Sequence, residues 1–501
     1  MLLWLGGCAT VDFDYPKEPS TYVADTSDTY LAGLVDDLVA AHPGQSAFYM
    51  QSDGVEALAT RVLLALRAER TIDVQYYLIK NDPIGYVFIE SLLNAADRGV
   101  RVRVLLDDVF TKDYDAGLAV LDDHPDIEIR IFNPVARGGS RFWNGLTDFS
   151  RVNRRMHNKT FTVDNRFTIV GGRNIASEYF AANDETNFGD LDVLAYGPIV
   201  DDVSRMFDSY WNDELAVSID ALIEPPEDPE MVMAQLRATI IESREALSDT
   251  RYAEVLTAAV FEMVSVQPEE FDWAPYELAF DAPEKGAGVE LDAEDSILTP
   301  MRDAVATAEE SLLILSPYFV PRKAGLEFFR KLRERGIEVR VVTNSLASNN
   351  HAIVHSGYAP VRKKLLDMGV KLYEVRPDAL PTGVERAGGA GTEANLHLKV
   401  FIVDRRLFFL GSFNFDPRSA YINTELGVII DSPKLAGWGV DEIDAVLAKR
   451  TYELRLNDQY QLRWYTREDG EWVKYEKEPE TTAWLRFKVG LMRMLPIKGQ
   501  L

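Results

Sequence analysis

Apolar positions along this chain change period in a fixed order. From Val55 to Glu69 they recur every three to four residues, the period of a helix with one buried face. Thr71 to Leu78 then reads as a strand, Ile84 to Arg98 as a second helix closed by Gly99, and Val100 to Leu106 as a second strand. A strand, a helix and a strand in this order predict a βαβ unit with parallel pairing.

The same order returns in the second half of the chain. A helix is expected from Met301 to Glu310, a strand from Leu312 to Phe319, a helix from Gly325 to Arg335 closed by Gly336, and a strand from Ile337 to Val342. The segments AADRGVRVRVLLDD and LRERGIEVRVVTNS can be written one above the other. The chain is therefore read as a duplicated α/β unit, with halves at 31–224 and 296–450. Glu224–Pro229 and the Asp/Glu/Ala/Gly-rich stretch Asp281–Asp295 interrupt regular structure, so 225–295 is expected to be a linker or insert. Residues 11–30 lack apolar periodicity and suit a tether, with order beginning near Leu31. Residues 451–501 form a tail.

The chemistry lies in two matching constellations. The first is His157, Lys159, Asp164, Gly171, Gly172 and Asn174, and the second is His397, Lys399, Asp404, Gly411, Ser412 and Asn414. Each residue of the second set lies 240 positions after its counterpart in the first. On a strand, residues i and i+2 share a face, so each histidine and its lysine project together. Asp164 and Asp404 fall near the following turn, where a carboxylate suits a structural role within the motif. Glycine after the next strand lets backbone approach an anion, and Asn174 and Asn414 can add donors, which together make a phosphate cradle. One histidine attacking phosphorus while the other protonates the leaving alkoxide is two-step covalent acid–base logic. The lysines would neutralise developing charge, so no metal or cofactor is required. A single His-x-Lys is noise, whereas two copies at identical spacing in a duplicated frame are a specific signal.

This pattern resembles the paired HKD motifs of the phospholipase D superfamily over about residues 50–450. The resemblance implies a duplicated α/β fold, its two sheet-and-helix halves packed with pseudo-twofold symmetry around one active site. It carries family roles onto His157, Lys159, Asn174, His397, Lys399, Ser412 and Asn414, with His157 as nucleophile and His397 as acid/base. The first motif departs by having Gly172 where the family has serine. In the family, downstream acids orient the histidines, and Asp190 and Glu425 are the candidates; which serves which histidine is left open. The motif phrase around His157, the segment from His355 to Leu366 and the C-terminal segment are most similar to bacterial cardiolipin synthases of the C type. That implies phosphatidylglycerol as acceptor, with phosphatidylethanolamine or a second phosphatidylglycerol as donor. His355, Tyr358, Arg362 and Lys363 are candidates for a second lipid phosphate, while His42, His124 and His351 are read as structural.

Composition bears on partners and location. A formal net charge of -27 weighs against nucleic acid as a partner. The single cysteine, Cys8, precludes an intrachain disulfide, and the apolar run before it resembles the lipobox of bacterial lipoproteins. The expectation is a bacterial membrane-associated enzyme, lipid-anchored through Cys8 and facing the periplasm or cell exterior. The stretch from Trp484 to Leu495 is basic, aromatic and amphipathic, fit for either an anionic membrane surface or a docked helix. Competing readings are a phospholipase D that delivers the phosphatidyl group to water, a nuclease or other phosphodiesterase, and a membrane-tethered scaffold with a decayed site.

Overall fold

The fully buried strand Thr71–Tyr76 lies within a nine-stranded sheet of the first half. It runs parallel to Arg101–Asp107, which runs parallel to Ile127–Phe132. On its other side it pairs antiparallel with Thr160–Val163, followed by Phe167–Gly171 and Asp192–Tyr196. A ten-stranded sheet repeats the arrangement: Ser311–Leu315, Glu338–Asn344 and Lys371–Val375 are parallel, and Val400–Val403, Leu407–Gly411 and Leu426–Asp431 are antiparallel. The βαβ expectation thus holds for three strands of each sheet, and hairpins complete the rest. The computed structural model describes residues 10–109, 111, 114–137, 148–183, 185–248, 250–264, 268–349, 351–379 and 393–493.

Alternation along the strands divides the core into three. Phe48, Val170, Val193 and Trp211 of the first half pack with Leu313, Leu410, Val428 and Ile430 of the second in a central layer. Helices Pro198–Trp211 and Pro433–Arg450 contribute to that layer, and the other faces of the sheets carry separate outer cores. Each large apolar side chain buried there stabilises by about 1.5–3 kcal/mol, so separating the halves would expose too much to be tolerated. Two parallel pairings also tie them together: Glu393–Leu396 with Thr186–Gly189, and the bridge of Met156 to Thr424.

The motif aspartates hold the repeat's frame. Asp164 and Asp404 adopt left-handed backbone conformations, φ 48° and 51°, which aspartate tolerates in tight turns. The Asp164 carboxylate accepts the backbone N–H groups of Glu69, Arg70 and Thr71, and Asp404 accepts those of Glu309, Glu310 and Ser311. Both stand at the end of the hairpin away from the histidines. Their place is structural, outside any catalytic cluster.

Three segments differ from the sequence expectation. Residues 11–30 are a strap, not a free tether. Lys17 donates to the carbonyl oxygens of Asp213 and Ala216 at 2.5 and 2.6 Å, and the Tyr22 amide donates to Asp208 at 2.9 Å. Polar pairing holds the strap where apolar periodicity is missing. Segment 225–295 contains the helices Pro229–Ser248 and Arg251–Val264, then strands Asp272–Ala274 and Tyr276–Phe280, which add one edge to each sheet. Its Pro and Glu clusters mark the ends of elements and not their absence. Strands Thr451–Leu456, Leu462–Glu468 and Glu471–Tyr475 extend the second sheet, so the tail begins only after them.

Candidate active site

His157 and Lys159 sit in an extended segment just before Thr160–Val163, and His397 and Lys399 just before Val400–Val403. The regular strands therefore begin one residue after each lysine. Alternation still holds, for Phe161 and Val163 continue the His157–Lys159 face into one outer core, and Phe401 and Val403 do the same in the other. The backbone before each histidine is clamped. Asp107 accepts the Met156 N–H at 2.8 Å; Asn344 accepts the Leu396 N–H and donates to its carbonyl, both at 2.9 Å. Each histidine N–H then donates across the molecule, His157 to the Thr424 carbonyl and His397 to that of Gly189.

The carboxylates pair crosswise. Nδ1 of His157 lies 2.8 Å from Glu425 Oε2, and Nδ1 of His397 lies 2.6 Å from Asp190 Oδ2. Each imidazole is thus oriented by an acid from the other half. With Nδ1–H donating to the carboxylate, the neutral ring presents its Nε2 lone pair for reaction. Glu425 is itself held by the hydroxyls of Ser412 at 2.5 Å and Ser419 at 2.6 Å. Gly172 occupies the place equivalent to Ser412, and a Cβ there would lie 2.2 Å from Asp190 Oδ1. The shorter aspartate fills the space that a serine side chain would need. The missing hydroxyl of the first motif is thereby explained.

Electrostatics in the unliganded site oppose protonation. Burial, together with repulsion by Lys399, pushes Lys159 down to about 7, and burial lowers Lys399 to about 8. Both histidines are also pushed below the ordinary imidazole range, chiefly by burial. Glu425 and Asp190 are held below the usual carboxylate range despite burial, by the histidines and lysines beside them. The cluster stays ionised on its acidic side and short of protons on its basic side, which suits a bound oxyanion.

The asparagines stand at the ends of the next strands, both buried. Among the described residues neither Asn174 Oδ1 nor Asn414 Oδ1 has a hydrogen-bond partner, and Asn174 Nδ2 donates to the Tyr179 hydroxyl at 2.9 Å. Buried amide capacity of this kind calls for a polar ligand. Gly171 and Gly411 lie against the neighbouring strand, where a Cβ would come within 2.0 and 2.2 Å of Asp192 Oδ1 and the Leu426 carbonyl oxygen. Their role is close strand packing beside the site.

Several residues here were not found in the sequence. Tyr77 packs edge-on to His157 at 5.2 Å, and His397 lies between Tyr179 at 5.1 Å and Phe188 at 5.5 Å. Tyr77, Tyr179 and Phe188 lie 80, 218 and 209 residues from the histidines they touch and belong to no repeated motif, so only the fold reveals them. The proposed second phosphate site at His355, Tyr358, Arg362 and Lys363 is not an open one. Buried Arg362 is bound by Glu374 at 3.0 Å and Glu478 at 2.5 Å, His355 faces Glu478, and Lys363 donates to the Tyr460 carbonyl. His42 stacks on Trp273, His124 faces Asp97, and His351 packs against Tyr318. Cys8 lies outside the described residues.

A tetrahedral oxyanion should therefore bind and stabilise the protein. With their values lowered, the lysines take up protons less readily in the folded chain than in the unfolded one. Stability is thus lost as pH falls from the ordinary lysine range through about 8 and 7. Tungstate at 100 times its dissociation constant should raise stability by about 3 kcal/mol. Thermal melts should show tighter tungstate binding at pH 6 than at pH 9.5, where both lysines are neutral before it binds. A shift independent of pH would contradict this reading of the lysines.

Comparison with known proteins agrees with the geometry. Residues 64–211 and 301–447 each match the family model described as cardiolipin synthase, PLD-like domain. The chain is 40% identical over 477 residues to cardiolipin synthase C of Escherichia coli, covering 93% of this chain and 99% of that one. It is 24% identical to cardiolipin synthase A of Pseudomonas entomophila, covering 83% of this chain and 69% of the relative. In fold it is similar to the crystal structure of phosphatidylserine synthase from Haemophilus influenzae, with a TM-score of 0.57 at 14% identity, covering 86% and 93% of the two chains. The duplicated motifs, the two halves closing on one site and the extent of these matches lead to one conclusion: the chain belongs to the phospholipase D-like cardiolipin synthase family, whose members are phosphatidyltransferases acting on phospholipids.

Proposed function

We propose that this protein makes cardiolipin by phosphatidyl transfer through a phosphohistidine intermediate, with His157 as nucleophile and His397 as acid/base. The crossed pairing of each histidine with a buried carboxylate carries the reading. His157 Nε2 attacks phosphorus of the donor, phosphatidylethanolamine or phosphatidylglycerol. The bond from phosphorus to the headgroup oxygen breaks, and protonated His397 gives its proton to the departing alcohol. The terminal hydroxyl of an acceptor phosphatidylglycerol then yields its proton to His397 and attacks phosphorus, the P–N bond breaks, and cardiolipin leaves. Lys159 and Lys399 hold the non-bridging oxygens throughout. A bound phosphodiester anion raises His397 from its lowered value, which supplies the acid form when it is needed.

The likeness to cardiolipin synthase C extends nearly end to end and favours transfer over hydrolysis. Purified protein incubated with mixed micelles of phosphatidylglycerol and phosphatidylethanolamine should form cardiolipin, and His157→Ala and His397→Ala should each lose at least about 10³-fold in rate. Phosphatidic acid as sole product would replace this reading with a hydrolase.

The proposed location is a membrane surface facing the periplasm or cell exterior. Among the described residues no helix is long and apolar enough to cross a membrane. Helix Ala483–Met492 buries Val489, while Trp484, Phe487 and Leu491 are 64%, 60% and 51% exposed beside Arg486, Lys488 and Arg493. One face docks on helix Ala352–Tyr358 and the other suits an anionic interface. Replacing Trp484 and Phe487 by Ser should weaken sedimentation with phosphatidylglycerol vesicles about tenfold, since two aromatic anchors are removed. Palmitate labelling that vanishes in Cys8→Ser would support the proposed lipid anchor. Unchanged vesicle binding together with no labelling would remove the membrane proposal.

A further inference from the structure

The duplication allows one half to serve as a reference for the other, and at one place they differ in what they enclose. In the first half, Arg61, Arg173 and Phe180 fill the space behind helix Gly54–Arg67. Arg61 lies 2.7 Å from Asp192 and 5.4 Å from the centre of the Phe180 ring, and Arg173 lies 3.4 Å from Asp192. At the same offset of 240 the second half has Met301, Phe413 and Ala420. A bulky buried phenylalanine is thus replaced by alanine, and two buried cations by apolar residues. There the second half has a cavity of about 420 Å³ lined by Met301, Phe401, Phe413, Phe415 and Ala420, with Tyr421 at its edge, whereas in the first half helix Arg251–Val264 also packs on Gly54–Arg67 and Tyr252 bonds the Phe180 carbonyl. Its volume falls within the range of small-molecule sites, and its walls are mainly apolar, with Arg302, Arg322 and Asp416 also lining it.

The cavity's position relates it to the reacting groups. His397, Lys399 and Phe401 share one face of the chain, so the cavity wall begins one strand repeat beyond Lys399. The short helix Pro417–Tyr421 borders both the cavity and the site. From it Ser419 bonds Glu425, the carboxylate that orients His157, and Arg418 reaches Asn153 of the first half at 2.8 Å. The same helix turns Pro417, Ala420 and Tyr421 toward the cavity. Tyr421 is 64% exposed, and its carbonyl oxygen accepts from Arg154 across the boundary between the halves. In the first half Phe88 packs on Phe161 at 5.6 Å, whereas Phe328 and Phe401 line the open volume of the second.

We propose that this cavity takes one acyl chain of the phospholipid whose phosphate sits at the histidines, so that the two halves, alike in chemistry, differ in lipid binding. This rests on the reading that the substrate is a phospholipid. Ala420→Phe reproduces the first half's Phe180 and should fill the volume. The expected result is a KM for dioleoyl phosphatidylglycerol raised at least tenfold, with turnover of the dihexanoyl lipid unchanged. Val305→Trp narrows the same cavity from another helix and serves if Ala420→Phe does not fold.

A direct readout uses phosphatidylglycerol carrying a diazirine at the end of one chain. Photolysis should label peptides within 298–328 or 401–421 of the wild-type protein, and Ala420→Phe or Val305→Trp should suppress that labelling. Equal KM for both lipids in a folded variant, or labelling elsewhere on the chain, would overturn the proposal. A wild-type protein that labels in the cavity but transfers no phosphatidyl group would uphold the site and overturn the cardiolipin reading instead.

Discussion

Everything in this structure serves a pair of short hydrogen bonds between buried imidazoles and buried carboxylates, each drawn from opposite halves of the chain. A carboxylate placed without its histidine inside this core would lose a buried hydrogen-bond partner, which costs about 1–3 kcal/mol or more for a charged group. The halves therefore need one another electrostatically as well as through the apolar layer between them. The parallel pairing of Glu393–Leu396 with Thr186–Gly189 and the bridge at Met156 and Thr424 set each histidine backbone against the opposite half. Asp164 and Asp404 reach the same end by tying each hairpin to the strand beside it.

Duplication supplies a twofold frame, and the chain has departed from symmetry in coupled ways. Gly172 with Asp190 does what Ser412 with Glu425 does, one solution with a short acid and no side chain, the other with a longer acid and a hydroxyl. Behind the first site stands a buried ionic group of Arg61, Asp192 and Arg173; the second half has Met301, Gly427 and Phe413 at the corresponding places. Charged networks of this kind hold geometry at the expense of stability, while apolar walls leave room.

Much of this was legible in the sequence because repetition amplifies weak local signals. The helices ending at Gly99 and Gly336, the parallel strands after them and both His-x-Lys motifs follow from period and spacing. The pairing of acid with histidine did not, because His157 and Glu425 are 268 residues apart and His397 and Asp190 are 207 apart. No rule of local spacing relates such positions. Gly172 read as a missing hydroxyl, since its reason is the side chain of Asp190. The strap at 11–30 and the short strands within 225–295 were also unread. The strap is held by polar bonds, and strands of three and five residues carry too little alternation to register.

The unliganded site is a compromise between burial and charge. Its lysines and histidines lose proton affinity so that a phosphodiester can restore it, which is how preorganised sites concentrate their effect on the charged state of the reaction. All of this depends on the crossed pairs, and nitrogen NMR of the histidine rings tests them most directly. Glu425→Gln should move the Nδ1–H resonance of His157 upfield and leave that of His397 in place, with Asp190→Asn doing the reverse. A response of each histidine to the acid of its own half would contradict the account.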